Sequence, residues 1–149
     1  MIALPSGLLL FDTGIYIRFF RRENYGWLGE DIQVFRRTVL TAVVASELYA
    51  GTRSRQEKRA LDKLCLAHHA LGHFSAPATT TWIDGGIALR LGRDRFGRMD
   101  FAHHFRDLLI AQEAVRARAT LVTENARDFV RWKVLLARMR TTLRIFKPS

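Results

Sequence analysis

The chain has 149 residues, 48% of them hydrophobic and 26% charged, a globular composition that excludes a disordered chain and sets the expectation of one domain over residues 1–149. Its apolar runs are only a few residues long, which excludes a membrane-spanning helix. The formal net charge of +10 and pI near 11.0 favour a polyanionic partner, either nucleic acid or an acidic protein.

Of the 24 basic residues 20 are arginine, lysine occurring only as Lys58, Lys63, Lys133 and Lys147. Arginine suits bidentate phosphate contacts, although a GC-rich genome would enrich it as well. Cys65 is the only cysteine, which excludes an internal disulfide and fits a reducing compartment. The stretch MIALPSGLLLFD carries no basic leader, so the expected location is the cytoplasm.

Taken in chain order, Leu8 to Phe11 is four apolar residues in a row, the pattern of a strand buried on both faces. A first helix is predicted over Ile15–Phe20, broken by Asn24, Gly26 and Gly29. Thr38-Val39-Leu40 reads as a second strand, with Thr41 as the cap of a short helix, Ala42–Tyr49, that stops at Gly51. Leu61, Leu64 and Cys65 recur at helical spacing within a helix from Ser54 to about His69. Thr80 or Thr81 caps a predicted helix through Trp82, Ile87 and Leu91, ending near Gly97. Another helix spans His104–Ala117. Ala119–Val122 reads as a strand, Ala126–Leu136 as a helix, and Thr142–Phe146 as a last strand. Strands that alternate with helices predict an α/β fold with a mainly parallel central sheet flanked by helices.

In such a sheet, ligands collect at the carboxyl ends of the strands. Asp12 is predicted at the end of the first strand. Glu47 lies in the apolar helix VVASELYAG, Asp107 in RDLLIAQEA, and Asn125 and Asp128 just after a strand in LVTENARDF. Each has a plain structural explanation as a helix cap or an arginine partner. Their joint placement is what points to chemistry. Several carboxylates brought together raise one another's pKa, and a hard divalent cation such as Mg²⁺ or Mn²⁺ relieves that cost. Glu57, Asp62 and Glu113 sit among polar neighbours and read as members of solvated helix faces.

Phe11-Asp12-Thr13-Gly14 also spells the signature around the catalytic carboxylate of aspartic proteases. Those enzymes are nearly all-β and need a second such carboxylate to share a proton. The chain has no second Asp-Thr-Gly and long helical patterns fill its middle, which argues against that activity.

Together the segments LLLFDTGIYI, VVASELYAG, RDLLIAQEA and ATLVTENARDF resemble, in order, the four motifs of the PIN domain, above all the VapC-type ribonuclease toxins of bacterial toxin–antitoxin pairs. TWIDGGIALR is similar to that family's Trp-containing helix between the second and third motifs. The resemblance implies a PIN-like fold and Mg²⁺-dependent cleavage of single-stranded RNA by metal-activated water, with Mn²⁺ as a substitute. It implies Asp12, Asp107 and Glu47 as metal ligands, Thr13 and Thr123 as orienting hydroxyls, and Asn125 or Asp128 in the fourth acidic place. Many relatives have an aspartate where this chain has Asn125, and many a basic residue where it has Glu124. The implied partners are RNA, a cognate antitoxin and a second copy of the chain, with no membrane. A stand-alone RNA-processing nuclease would carry the same residues, as would a non-catalytic nucleic-acid-binding module.

Around the pocket, Arg18, Arg106 and Arg127 are the expected phosphate contacts, and Tyr16, Phe105 and Trp132 the candidates for base stacking, with core packing the alternative for all three and the preferred reading for Phe105. Leu48 and Tyr49 are the candidate antitoxin contacts. His69 and His73 share a helix-like spacing, as do His103 and Asp107, but no cysteine cluster or HExxH supports a zinc site.

Overall fold

In the computed structural model, which describes residues 3–148, five short strands form one parallel sheet in the order β3-β2-β1-β4-β5. They are β1 (Leu9–Phe11), β2 (Thr38–Thr41), β3 (Phe74–Ser75), β4 (Thr120–Val122) and β5 (Arg144–Phe146). The expected mainly parallel sheet is parallel at every pairing: β1 aligns Leu9 with Thr38 on one side and with Thr120 on the other. Leu9, Leu10 and Phe11 are at most 1% exposed, because β1 is the middle strand and helices cover both of its faces.

The helices are α1 (Thr13–Phe20), α2 (Trp27–Glu30), α3 (Ile32–Arg36), α4 (Ala42–Ala50), α5 (Arg55–Ala70), α6 (Thr79–Phe96), α7 (Phe101–Arg116) and α8 (Ala126–Arg138). From β1 the chain moves outward through β2 to β3, then jumps back past β1 to β4 and continues to β5. Right-handed crossovers in these two directions place the helices in two groups on opposite faces. Accordingly α1 packs on α4 and α4 on α5, while α6, α7 and α8 pack on one another. The reversal beside β1 is a topological switch point, with its crevice at the carboxyl ends of β1 and β4. Among the described residues, no helix is long and apolar enough to cross a membrane.

Several predicted boundaries move, each for a local reason. The first helix starts at Thr13, two residues early, because the Asp12 carboxylate accepts a hydrogen bond from the Thr13 N–H and caps it. The break after Phe20 contains α2 and α3, the latter capped by Asp31, which accepts from the Gln33 and Val34 N–H groups. α6 starts at Thr79 after Ala78 without a side-chain cap, so neither Thr80 nor Thr81 serves as one. α7 starts at Phe101, three residues before His104, with Asp100 accepting from the Ala102 N–H. β3 was not anticipated; it is two half-buried residues paired with Leu40 and Thr41.

Close approach of α6 and α7 depends on Gly85, where a Cβ would meet the Phe105 ring at 2.9 Å and the Gln112 amide oxygen at 3.2 Å. Glu113 departs from its expected solvated place. It is 1% exposed, accepts from the Thr41 hydroxyl at 3.4 Å, lies 3.9 Å from Arg116, and burial raises its pKa. Asp62 does pair with Lys58 one turn away, at 2.9 Å.

On α5, His68 is 1% exposed and its ring centroid lies 4.8 Å from that of Phe35. Burial, reinforced by His73, lowers its pKa from 6.5 to about 4, against the pull of the Thr38 carbonyl. The unfolded chain therefore takes up this proton first as pH falls. Stability conferred by a neutral His68 is intact above pH 6.5 and drains away between 6.5 and about 4. Between pH 7.5 and 5, denaturant melts are expected to show the stability of the wild type changing by about 2 kcal/mol more in the unfavourable direction than that of His68→Gln. Equal losses in the two proteins would refute a neutral buried His68.

Candidate active site

Asp12 follows β1 directly and points into the switch-point crevice. Its Oδ1 accepts from the Thr13 N–H at 2.8 Å and its Oδ2 from the Thr123 hydroxyl at 2.8 Å. Thr123 follows β4, is fully buried, and also accepts at 3.0 Å from the Asn125 N–H. One hydroxyl thus fixes both the carboxylate and the turn into α8. Burial raises the Asp12 pKa despite these two hydrogen bonds, so the carboxylate is held by geometry more than by charge compensation.

Glu47 enters from α4 and Asp107 from α7, two helices in contact. Glu47 Oε2 lies 3.6 Å from Arg106. Its Oε1 is buried without a full hydrogen bond, as is the Thr13 hydroxyl that faces it. Burial raises the Glu47 pKa, Arg106 opposes the rise and Asp12 adds to it. Asp107 is half-buried, and its pKa rises to about 6, first by burial and then by the charges of Asp12, Glu47 and Asp128. Four carboxylates from four different elements are therefore within electrostatic reach of one another.

Asp128, in the first turn of α8, accepts from the Asn125 amide at 2.9 Å and from Arg131 at 3.4 Å. Asn125 itself is exposed at the start of that helix. Its amide is committed to Asp128, so the two form one hydrogen-bonded pair at the start of α8.

The chemistry of this donor set suits a hard cation. Among the described residues no three His, Cys, Asp or Glu side chains form a ready-made cage. Mg²⁺ does not need one, since it keeps several waters and takes only one or two carboxylates directly. An unpartnered buried oxygen on Glu47 and the mutual repulsion felt by Asp107 are the observations that fit such an ion. Asp12, Glu47 and Asp107 are the residues that could hold it.

The surroundings revise several expectations. Tyr16 and Trp132 are at most 2% exposed and Phe105 is 5% exposed, so none can stack a base; each belongs to the core. Arg106 does pair with one carboxylate of the cluster, Glu47, and Arg131, not the exposed Arg127, pairs with another, Asp128, whereas Arg18 pairs with Glu124, next to Thr123. Leu48 is 6% exposed, and Tyr49 donates its hydroxyl to Asp62 at 2.6 Å. Beside Glu47 lies an apolar groove between α1, α4 and α5, lined by Ile17, Phe20, Leu48 and Leu61 together with Arg21 and Arg53. His104 leans on Trp132 with ring centroids 5.3 Å apart, and burial with the nearby Arg131 lowers its pKa.

One contact near Thr123 was not anticipated from the sequence. Glu124 accepts from Arg18 and from the hydroxyl of Tyr25, which is 99 residues away in the chain. Tyr25 lies in a stretch that reads only as a helix break.

No protein-family model matches the sequence, and no curated protein does. Solved structures do share its fold. A chain of FitAB bound to the IR36 DNA fragment aligns over 94% of both chains with a TM-score of 0.66 and 15% identity. A chain of FitAcB from Neisseria gonorrhoeae aligns over 93% of this chain and 96% of its own, with a TM-score of 0.63 and 17% identity. A chain of VapBC2 from Rickettsia felis, bound to a DNA fragment from their promoter, aligns over 94% and 98%, with a TM-score of 0.61 and 20% identity. At these identities the likeness is one of fold, and that fold is the PIN-like α/β sheet expected from the four motifs.

Proposed function

We propose that the protein is a divalent-cation-dependent ribonuclease of the VapC type that cleaves single-stranded RNA. The observation that carries this reading is the convergence of Asp12, Glu47, Asp107 and Asp128 at the switch point of a basic α/β chain. Asp12, Asp107 and Glu47 would hold Mg²⁺ or Mn²⁺, which when bound activates water and offsets charge on the phosphate. Thr123 and the Thr13 N–H keep the Asp12 carboxylate aimed into the pocket. Arg106 orients Glu47, which the Thr13 hydroxyl faces. Arg106 and Arg131, each on a carboxylate of the cluster, and Arg18, on Glu124, would bring the RNA backbone to it against the repulsion of the carboxylates. Asn125 and Asp128 close the α8 side.

A toxin–antitoxin setting is part of this reading. It is supported by the fold shared with chains of VapBC2 and FitAB, and by the groove beside Glu47, whose apolar lining and arginines suit an antitoxin segment with apolar and acidic residues. Trp82, Ile83 and Phe101, between 49% and 62% exposed on α6 and α7, provide an apolar surface for a homodimer.

The test is cleavage of unstructured RNA with Mg²⁺ or Mn²⁺. Cleavage is expected to stop with EDTA, to return with excess Mg²⁺, and to be lost in Asp12→Asn. Cleavage that survives EDTA would exclude the metal-dependent mechanism. Absence of cleavage with either metal would favour a nucleic-acid-binding module of the same fold.

A further inference from the structure

Glu124 sits one residue after Thr123, beside the pocket. Both of its carboxylate oxygens are engaged. Oε2 takes the Arg18 Nε–H at 3.0 Å, and Oε1 takes the hydroxyl of Tyr25. The Arg18 pair uses Nε, one of five N–H donors on the guanidinium, so the two terminal nitrogens keep four donors. The Arg18 side chain is 48% exposed, so those donors are open to water on the side of the chain where Glu124 follows Thr123.

Tyr25 is held at some cost. Its φ is +63°, a left-handed conformation that a bulky residue rarely adopts, and Arg22 in the same loop has φ +56°. Tyr25 is 3% exposed, and the Asn24 side-chain amide oxygen accepts its N–H at 2.7 Å. Its ring packs edge-on against Trp27 at 5.8 Å, and Trp27 packs on Phe11 at 5.7 Å, next to Asp12. The loop is therefore anchored in the same core that supports the first carboxylate. A tyrosine serving only to fill space would need neither the left-handed backbone nor a hydroxyl that reaches Glu124.

We propose that Glu124 and Tyr25 are positioning residues that fix Arg18 as a phosphate-backbone contact at the mouth of the acidic pocket. The proposal deepens the ribonuclease reading and rests on it for the identity of the ligand. Tyr25 locks Glu124 from the core side, and Glu124 orients the guanidinium so that its free fork meets a phosphate oxygen pair. An arginine held in one orientation loses less entropy on binding than one that is free.

The sign of one substitution separates this from simple electrostatics. Removing the Glu124 charge would strengthen attraction for RNA if Glu124 merely shielded Arg18. A positioning role demands weaker binding. The assay is fluorescence-anisotropy binding of an unstructured, labelled uridine-rich RNA oligonucleotide to the full chain in EDTA, over a range of salt. Arg18→Ala is expected to weaken binding about five- to tenfold and to flatten the slope of log K against log salt by about 0.7. Glu124→Gln and Tyr25→Phe are expected to weaken it about threefold, with Arg18→Lys close to Arg18→Ala because a point charge cannot use the fork. Unfolding midpoints of all four variants accompany the measurement.

Tighter binding by Glu124→Gln overturns the proposal, as does Tyr25→Phe or Arg18→Ala binding like the wild type. A wild type that does not bind the oligonucleotide overturns it too. Because binding is read separately from cleavage, the two readings can fail separately. Loss of cleavage in Asp12→Asn with unchanged binding in the three brace variants leaves the nuclease standing and removes the brace. The expected binding changes in a protein that never cleaves leave the brace standing and remove the nuclease.

Discussion

Asp107→Asn is expected to lower RNA cleavage by about three orders of magnitude while making the cation-free protein harder to unfold. Asp107 is half-buried, and the charges that act on it most strongly are those of three acids, Asp12, Glu47 and Asp128. Only Arg106 works in its favour. At pH 7.5 the folded state must keep this group charged against a pKa raised to about 6. An asparagine of the same shape removes that burden. Since the carboxylate stays partly in water, screening leaves a gain of about 1 kcal/mol, or about 2–4 °C in the unfolding midpoint. The two measurements have to be made together, in EDTA for stability and in Mg²⁺ for cleavage. Activity within tenfold of the wild type would remove Asp107 from the metal site. Activity lost together with a lower midpoint would place the defect in the fold.

Thr123→Val should separate holding a carboxylate from supplying one. The substitution keeps shape and loses two hydrogen bonds, one donated to Asp12 and one accepted from the Asn125 N–H. Asp12 retains its charge and its bond from Thr13. Groups that orient ligands at metal sites typically matter by about 10- to 100-fold, and a loss of that size in kcat is the expected result. Leaving the Asn125 N–H without its partner costs about 1–2 kcal/mol of stability, read in a denaturant melt. Thr123→Ser, which keeps the hydroxyl, should restore most of both. A valine variant with normal kcat would mean that Asp12 needs no second anchor.

These acids were visible in the sequence because they interrupt apolar surroundings. Four apolar residues before Asp12 announce a buried strand, and the residue after such a strand faces the crevice. Glu47 stands out in a helix that is apolar all round, and Asp107 heads an apolar run. The parallel sheet followed from the same alternation of short strands and helices. What stayed hidden was structure too short to have a period. α2 and α3 are four and five residues long, and β3 is two. The start of α7 had a signal in Asp100, obscured by the break at Gly97. The aromatic residues misled because spacing does not tell which face of a helix meets the core, and Tyr16 and Trp132 turned inward. Arg131 was within reach of the same reasoning that found Asp128, since the two are one helical turn apart. Tyr25 was not, because nothing local marks a contact made across 99 residues.

The order of strands in the sheet also sets a schedule. β1, β2 and β3 come first in the chain, whereas β4, which completes the crevice beside β1, arrives only at Thr120–Val122. Asp12 leaves the ribosome 111 residues before the Thr123 that holds it. At about 5–20 residues per second, several seconds separate the two. A growing chain thus carries its first acid with one edge of β1 uncovered and no pocket around it. Whatever chemistry this site performs, it cannot begin until nearly all of the protein has been made.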